Sequence, residues 1–68
     1  MTQQDREELV SDGMLTVRQA AEFSGMSVSS LYEFMDLGQL QYAKIGRARR
    51  VPKKAIVKLV ADSLVGSP

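Results

Sequence analysis

The chain has neither cysteine nor histidine among its 68 residues. Without cysteine, no disulfide framework and no thiolate metal site can stabilise so short a fold. Without histidine, it lacks the commonest general base and the commonest metal ligand in proteins. Paired carboxylates, a nucleophile with its base, and a phosphate-binding loop are also missing from the sequence. We therefore expect no enzymatic activity, no cofactor and no bound metal.

Long apolar runs are absent as well. No stretch approaches the roughly 18 consecutive apolar residues that a membrane-spanning helix needs. The first thirteen residues, MTQQDREELVSDG, are acidic and polar, unlike a signal peptide or an Arg-rich transit sequence. The sequence therefore predicts a cytoplasmic protein with no membrane partner and no small-molecule ligand.

Acidic residues are missing from one long segment. Residues 41–58 contain seven lysines and arginines and no acid, although the whole chain has a net charge of only +1. The segments 1–12, 13–40 and 59–68 are all net negative. One concentrated basic stretch on a weakly charged chain indicates a polyanionic partner. For Lys53, Lys54 and Lys58, a solvated basic helix face is an equally good interpretation.

Two short helices joined by a glycine turn are predicted in the first half of the chain. Thr16 and Gln19 fit a capping box at the start of the first helix, and Gly25 suits a left-handed helix end. Ser27 is the expected N-cap of the second helix, and Gly38 its stop. The positions at helical spacing in the two helices are Val17, Ala20, Ala21, Ser24, Val28, Leu31, Phe34 and Met35.

This predicted corner satisfies a steric rule of helix-turn-helix units. The first helix needs a very small residue where the second crosses it, and a turn residue four positions later. Ala21 and Gly25 have this spacing, and the apolar residues of the second helix follow in order. A plain structural αα-hairpin is the alternative.

A small β-hairpin with a basic tip is predicted to follow the corner. Residues 40–45 partly alternate, residues 46–48 form a turn, and residues 49–51 return as a strand. Pro52 suits the first turn of a third helix, whose apolar stripe comprises Ala55, Ile56, Leu59, Val60 and Leu64. We expect residues 1–12 to be a tail or a short frayed turn, residues 13–65 one domain, and residues 66–68 a C-terminal tail.

Four segments are similar to a known family: LTVRQAA at 15–21, GMSVSSLY at 25–32, GQL at 38–40, and IGR followed by RVP at 45–52. They resemble the excisionase family of small winged helix-turn-helix domains, which is related to the MerR-type DNA-binding domain. The resemblance covers residues 14–64, and small transcriptional regulators and phage packaging proteins share its motifs. It implies a mostly α fold with a small β-hairpin, and double-stranded DNA as the partner. The second helix would enter the major groove, and the hairpin, or wing, the adjacent minor groove.

The resemblance also assigns DNA-binding residues. Ser27 would both cap the recognition helix and bring its N-terminus to a phosphate, whereas Glu33 replaces a basic residue common in related domains. Glu33 either accepts from a cytosine amino group or, as we favour, points away. The implied contacts are Ser27, Ser29, Ser30 and Tyr32 on the recognition helix, Arg47 and Arg49 at the wing tip, Lys44 and Arg50 near the DNA backbone, and Arg18 as a further phosphate ligand.

Serines on a recognition helix predict modest base discrimination. They are short donors, and none makes the bidentate purine contact of Arg, Asn or Gln. Affinity would then depend on phosphates, the wing, DNA shape and assembly on adjacent sites. This is the profile of an architectural factor, and it agrees with what the excisionase resemblance implies. Such proteins load cooperatively on repeated sites in the bacterial cytoplasm, bend DNA and direct a phage-type integrase toward excision. The alternatives are a small transcriptional regulator and a protein-interaction adaptor.

Overall fold

The computed structural model describes residues 2–66, so Met1 and residues 67–68 of the predicted tails lie outside the described residues. The elements follow in the order α1 (Gln3–Leu9), β1 (Met14–Thr16), α2 (Val17–Ser24), α3 (Val28–Asp36), β2 (Ala43–Ile45), β3 (Ala48–Pro52) and α4 (Lys53–Asp62). The predicted fold class, mostly α with a small β-hairpin, is confirmed. None of the helices in this range is long and apolar enough to cross a membrane.

The helix caps follow the local sequence signals. Thr16 Oγ1 accepts from the Gln19 amide at 3.0 Å, and Gln19 Oε1 accepts from the Thr16 amide at 2.9 Å. This reciprocal pair is the predicted capping box at the start of α2. Gly25 ends α2 with a φ of +74°, in the left-handed region, and Ser27 caps α3 as predicted.

The core lies where α2, α3, α4 and β3 meet. Its buried residues are Val17, Ala20, Leu31, Met35, Leu40, Val51, Ala55 and Ile56. Ala20 has no exposed surface, and the predicted crossing residue Ala21 is partly buried and packs against the same core. Three predicted stripe positions are wrong. Val28 is 40% exposed because it is the first residue of α3, beside the exposed cap. Val60 is 36% exposed because it lines an open groove with Phe23 of α2, and Leu64 is exposed because α4 ends at Asp62.

The sheet has a third strand that the sequence did not indicate. Its antiparallel order is β1-β3-β2, with Leu15 opposite Val51 and Lys44 opposite Arg49. Three residues are too few for β1 to show alternation, and its partner lies more than thirty positions away in the chain. Pro52 is the last residue of β3 and the N-cap of α4, not a first-turn residue. Its φ of −58° is compatible with either position.

Residues 3–9 form α1, where a tail or frayed turn was predicted. Thr2 and Asp5 make a capping box at its start, and Leu9 packs against the core. Lys54 Nζ of α4 donates to a carboxylate oxygen of Glu8 and, at 2.9 Å, to Ser11 Oγ. Leu9 is the single apolar residue of α1. One apolar residue gives no periodic pattern, so the sequence did not predict this helix.

Candidate nucleic-acid interface

The N-terminus of α3 presents three serines. Ser27 Oγ accepts from the Ser30 amide at 3.1 Å and donates to Ser30 Oγ at 2.9 Å. The Ser27 hydroxyl hydrogen is therefore already used within the helix, and its capping role is confirmed. Ser29 is exposed and makes no side-chain hydrogen bond within residues 2–66. The first turn of α3 thus offers the hydroxyl of Ser29 and its unpaired amides to a ligand.

The wing is the hairpin of β2 and β3. Gly46 has a φ of +63° and Arg47 a negative φ, as in the two-residue type II′ turns that fit the twist of a hairpin. Arg47 is exposed at the tip, as predicted from the sequence. Lys44 is exposed on β2, directly opposite Arg49 on β3. Arg49, predicted at the tip, instead lies within the strand.

Arg49 sits in a cluster that joins the wing to α3. Its guanidinium carbon lies 5.0 Å from the ring centroid of Tyr32 and 4.6 Å from that of Tyr42. Its Nη1 lies 3.4 Å from Oδ1 of Asp36. Sequence reasoning missed Asp36 and Tyr42. The four-residue spacing of Tyr32 and Asp36, which places both on one helix face, was the available signal.

Arg50 and Arg18 lie apart from this cluster. Arg50 is in the central strand between Ala43 and Thr16, so the alternation of the strand directs it to the face opposite Arg49. It is partly buried and donates to the carbonyl of Arg49 at 3.1 Å. Arg18 is exposed in the first turn of α2 and makes no ion pair within residues 2–66. The structure therefore joins Tyr32, Lys44 and Arg49 into one surface, to which these two arginines do not contribute.

A helix-turn-helix domain model matches residues 14–63, from the first strand to the end of α4. The chain belongs to the helix-turn-helix domain family. No curated protein and no solved structure matches it significantly. Membership supports a small helix-turn-helix protein that binds double-stranded DNA.

The three lysines of α4 in this helix-turn-helix domain have local partners. Lys58 Nζ lies 3.5 Å from Oδ2 of Asp62, and Lys53 Nζ lies 5.7 Å from the ring centroid of Phe23. The hydrogen bond with Glu8 raises the pKa of Lys54, and the same bond, with the attraction of the two charges, lowers the pKa of Glu8. Each of these lysines thus has a partner within its own chain: Lys53 on α2, Lys54 on α1, and Lys58 on α4 itself.

The helix-turn-helix match begins after α1, so this acidic helix lies outside the matched residues. Asp5 and Glu7 are exposed on it, while Glu8 is paired with Lys54. No group of three or more acidic side chains in the described range could hold a metal ion. The electrostatic contrast between α1 and the wing is the main charge feature of the molecule.

Proposed function

We propose that this helix-turn-helix protein is an excisionase-type architectural factor, which bends DNA and directs a phage-type integrase toward excision. The observation that carries the proposal is the composition of the exposed N-terminal end of α3. Its polar side chains are the short hydroxyls of three serines, and that of Ser27 is used in capping. A helix with so few base-reading groups draws its affinity from phosphates, from the wing and from DNA shape.

The proposed contacts follow from the exposed groups. Ser29 and the amides of the first turn of α3 meet the major groove edge and its phosphates, with Tyr32 beside them. Arg47 enters the minor groove, where a narrow groove concentrates negative potential. Lys44, Arg50 and Arg18 neutralise backbone phosphates, while Ser27 and Ser30 hold the helix end in shape.

Cooperative loading of adjacent copies is part of this proposal. A single small module buries about 600–1,000 Å² on DNA, so useful occupancy requires neighbours. Head-to-tail contacts are the natural geometry on direct repeats. Asp5 and Glu7 of α1 carry exposed negative charge that basic residues of a neighbouring copy can meet. Glu8 is already paired within its own chain.

Circular-permutation gel shifts test the proposal on DNA flanking the gene, after footprinting has located the binding sites. On fragments with two or more sites, we expect mobility to depend strongly on site position and the effect to grow as copies are added. The deformation, which costs on the order of several kcal/mol, is offset by the added phosphate contacts. A fragment with one site is the control. One non-cooperative complex on a palindrome, with little bending, would contradict the proposal and indicate a dimeric regulator.

A further inference from the structure

Arg49 is enclosed from three directions by groups of its own chain. Tyr32 and Asp36 reach it from α3, and Tyr42 reaches it from the segment before β2. Its side chain is only 26% exposed, although the residue is one position from the wing turn. Two aromatic rings lie against the guanidinium, and the carboxylate of Asp36 takes one of its N–H groups.

The strand register explains why Arg49 points toward α3. Side chains alternate along β3, so Arg49 shares a face with Val51, which is fully buried in the core. Arg47 lies outside the strand, in the turn, and is exposed. The two arginines are therefore two residues apart in sequence but differ in surroundings.

A guanidinium suits such a position. It is planar and always charged, stacks on aromatic faces and directs its N–H groups outward in the plane. In Arg49 it approaches both tyrosine rings while Nη1 points to Asp36. Because β2 has only three residues, the tip has little support from the sheet itself.

We propose that Arg49 is a positioning residue, which holds the wing at a fixed distance and angle from α3 and is not a phosphate ligand. The inference rests on the proposed DNA-binding function, in which both elements contact one duplex. Holding them together before binding lowers the ordering cost of association. Tyr42 and Asp36 belong to the same brace, and Lys44 and Arg47 supply the charge that reaches DNA.

The experiment compares Arg49→Ala with Arg47→Ala, a matched change two residues away. DNA affinity is measured across salt concentrations, and hydrogen exchange of the wing amides is measured in the free protein. For Arg49→Ala we expect about tenfold weaker binding, since tenfold corresponds to 1.4 kcal/mol and lies within the range of cation–π contacts. The slope of log K against log salt stays parental, and wing exchange becomes faster. Arg47→Ala should reduce the magnitude of the salt slope by about 0.9 and leave the hydrogen exchange of the wing amides unchanged.

Tyr42→Leu provides a second measurement that leaves every charge in place and replaces a residue that is 36% exposed. It should reproduce the weaker binding and faster wing exchange of Arg49→Ala, again with a parental salt slope. A salt slope of smaller magnitude for Arg49→Ala, with unchanged hydrogen exchange of the wing amides, would overturn the proposal and indicate that Arg49 is a phosphate ligand. If the parent protein binds no DNA, the DNA-binding function fails, but the exchange comparison still decides whether Arg49 braces the wing.

Discussion

At the residue scale, Gly25 between α2 and α3 is required for its backbone conformation and not for close packing. Gly25 has a φ of +74°, and a Cβ added there would meet no atom within 4 Å. Any cost of a side chain at this position is therefore conformational, not steric crowding by neighbours. Its amide donates to the Ala21 carbonyl at 2.9 Å and closes α2.

Replacement of Gly25 tests this assignment. Gly25→Ala should lower the free energy of unfolding by about 1–2 kcal/mol, because left-handed backbone is unfavourable for a residue with a Cβ. Gly25→Asn is the control and should lose less, since asparagine tolerates this region better. Urea denaturation of the two variants measures the difference. Equal stability of Gly25→Ala and the parent would mean that Gly25 does not end α2 in this conformation.

At the element scale, α1 is held to the rest of the molecule by few contacts. Leu9 packs against the core, and Lys54 bridges Glu8 and Ser11. The bond with Lys54 lowers the pKa of the Glu8 carboxyl, and the bond with Glu8 raises the pKa of the Lys54 ammonium. The attachment of α1 is therefore sensitive to pH at both extremes.

The free energy of unfolding is measured across pH for the parent protein and for Glu8→Gln. Since the pKa of Glu8 is lowered on folding, its contribution is present above the ordinary carboxyl pKa and is lost as pH falls through the folded value. Since the pKa of Lys54 is raised, its contribution is lost as pH rises through the folded lysine value. We expect the stability gap between the two proteins to be widest near neutral pH and to narrow in acid and in alkali. A gap of constant size from about pH 7 to about pH 3 would exclude the ion pair as its cause.

At the scale of the whole molecule, the distribution of charge decides how much of the basic segment can reach DNA. The sequence places seven cations between residues 41 and 58. In the fold, four of them have an acidic or aromatic side chain as partner: Arg49, Lys53, Lys54 and Lys58. Lys44 and Arg47 are exposed without such a partner, and the partly buried Arg50 donates to the Arg49 carbonyl. These three and Arg18 on α2 are the four cations proposed to contact phosphates.

If these four cations each contact one phosphate, as proposed, they determine the expected salt dependence of binding. The slope of log K against log salt should be about −3.6, from about −0.9 per phosphate. All seven segment cations on DNA would give a slope of about −6 instead. Lys58→Gln is the control and should leave the slope unchanged. A slope near zero would contradict DNA binding through these four cations, and one near −6 would mean that the α4 lysines also contact DNA.

The local chemistry of the sequence was sufficient for the helix-turn-helix unit. Capping and turn formation depend on groups that lie only a few positions apart in the chain. The roles of Thr16 with Gln19, of Gly25 and of Ser27 could therefore be predicted without knowledge of the fold. The basic wing turn was predictable for the same reason, since glycine and arginine at 46 and 47 determine it locally. The placement of the three serines at the start of α3 followed directly from the cap.

Features that depend on distant pairings were decided only by the tertiary structure. β1 exists because Leu15 meets Val51 across the chain, and α1 is attached through Lys54. Arg49 was expected at the wing tip, but the strand register turns it toward α3, where Tyr42 and Asp36 surround it. Sequence patterns report which residues share a face of one element. Which faces meet depends on packing between elements, and that packing gives Arg47 and Arg49 different surroundings.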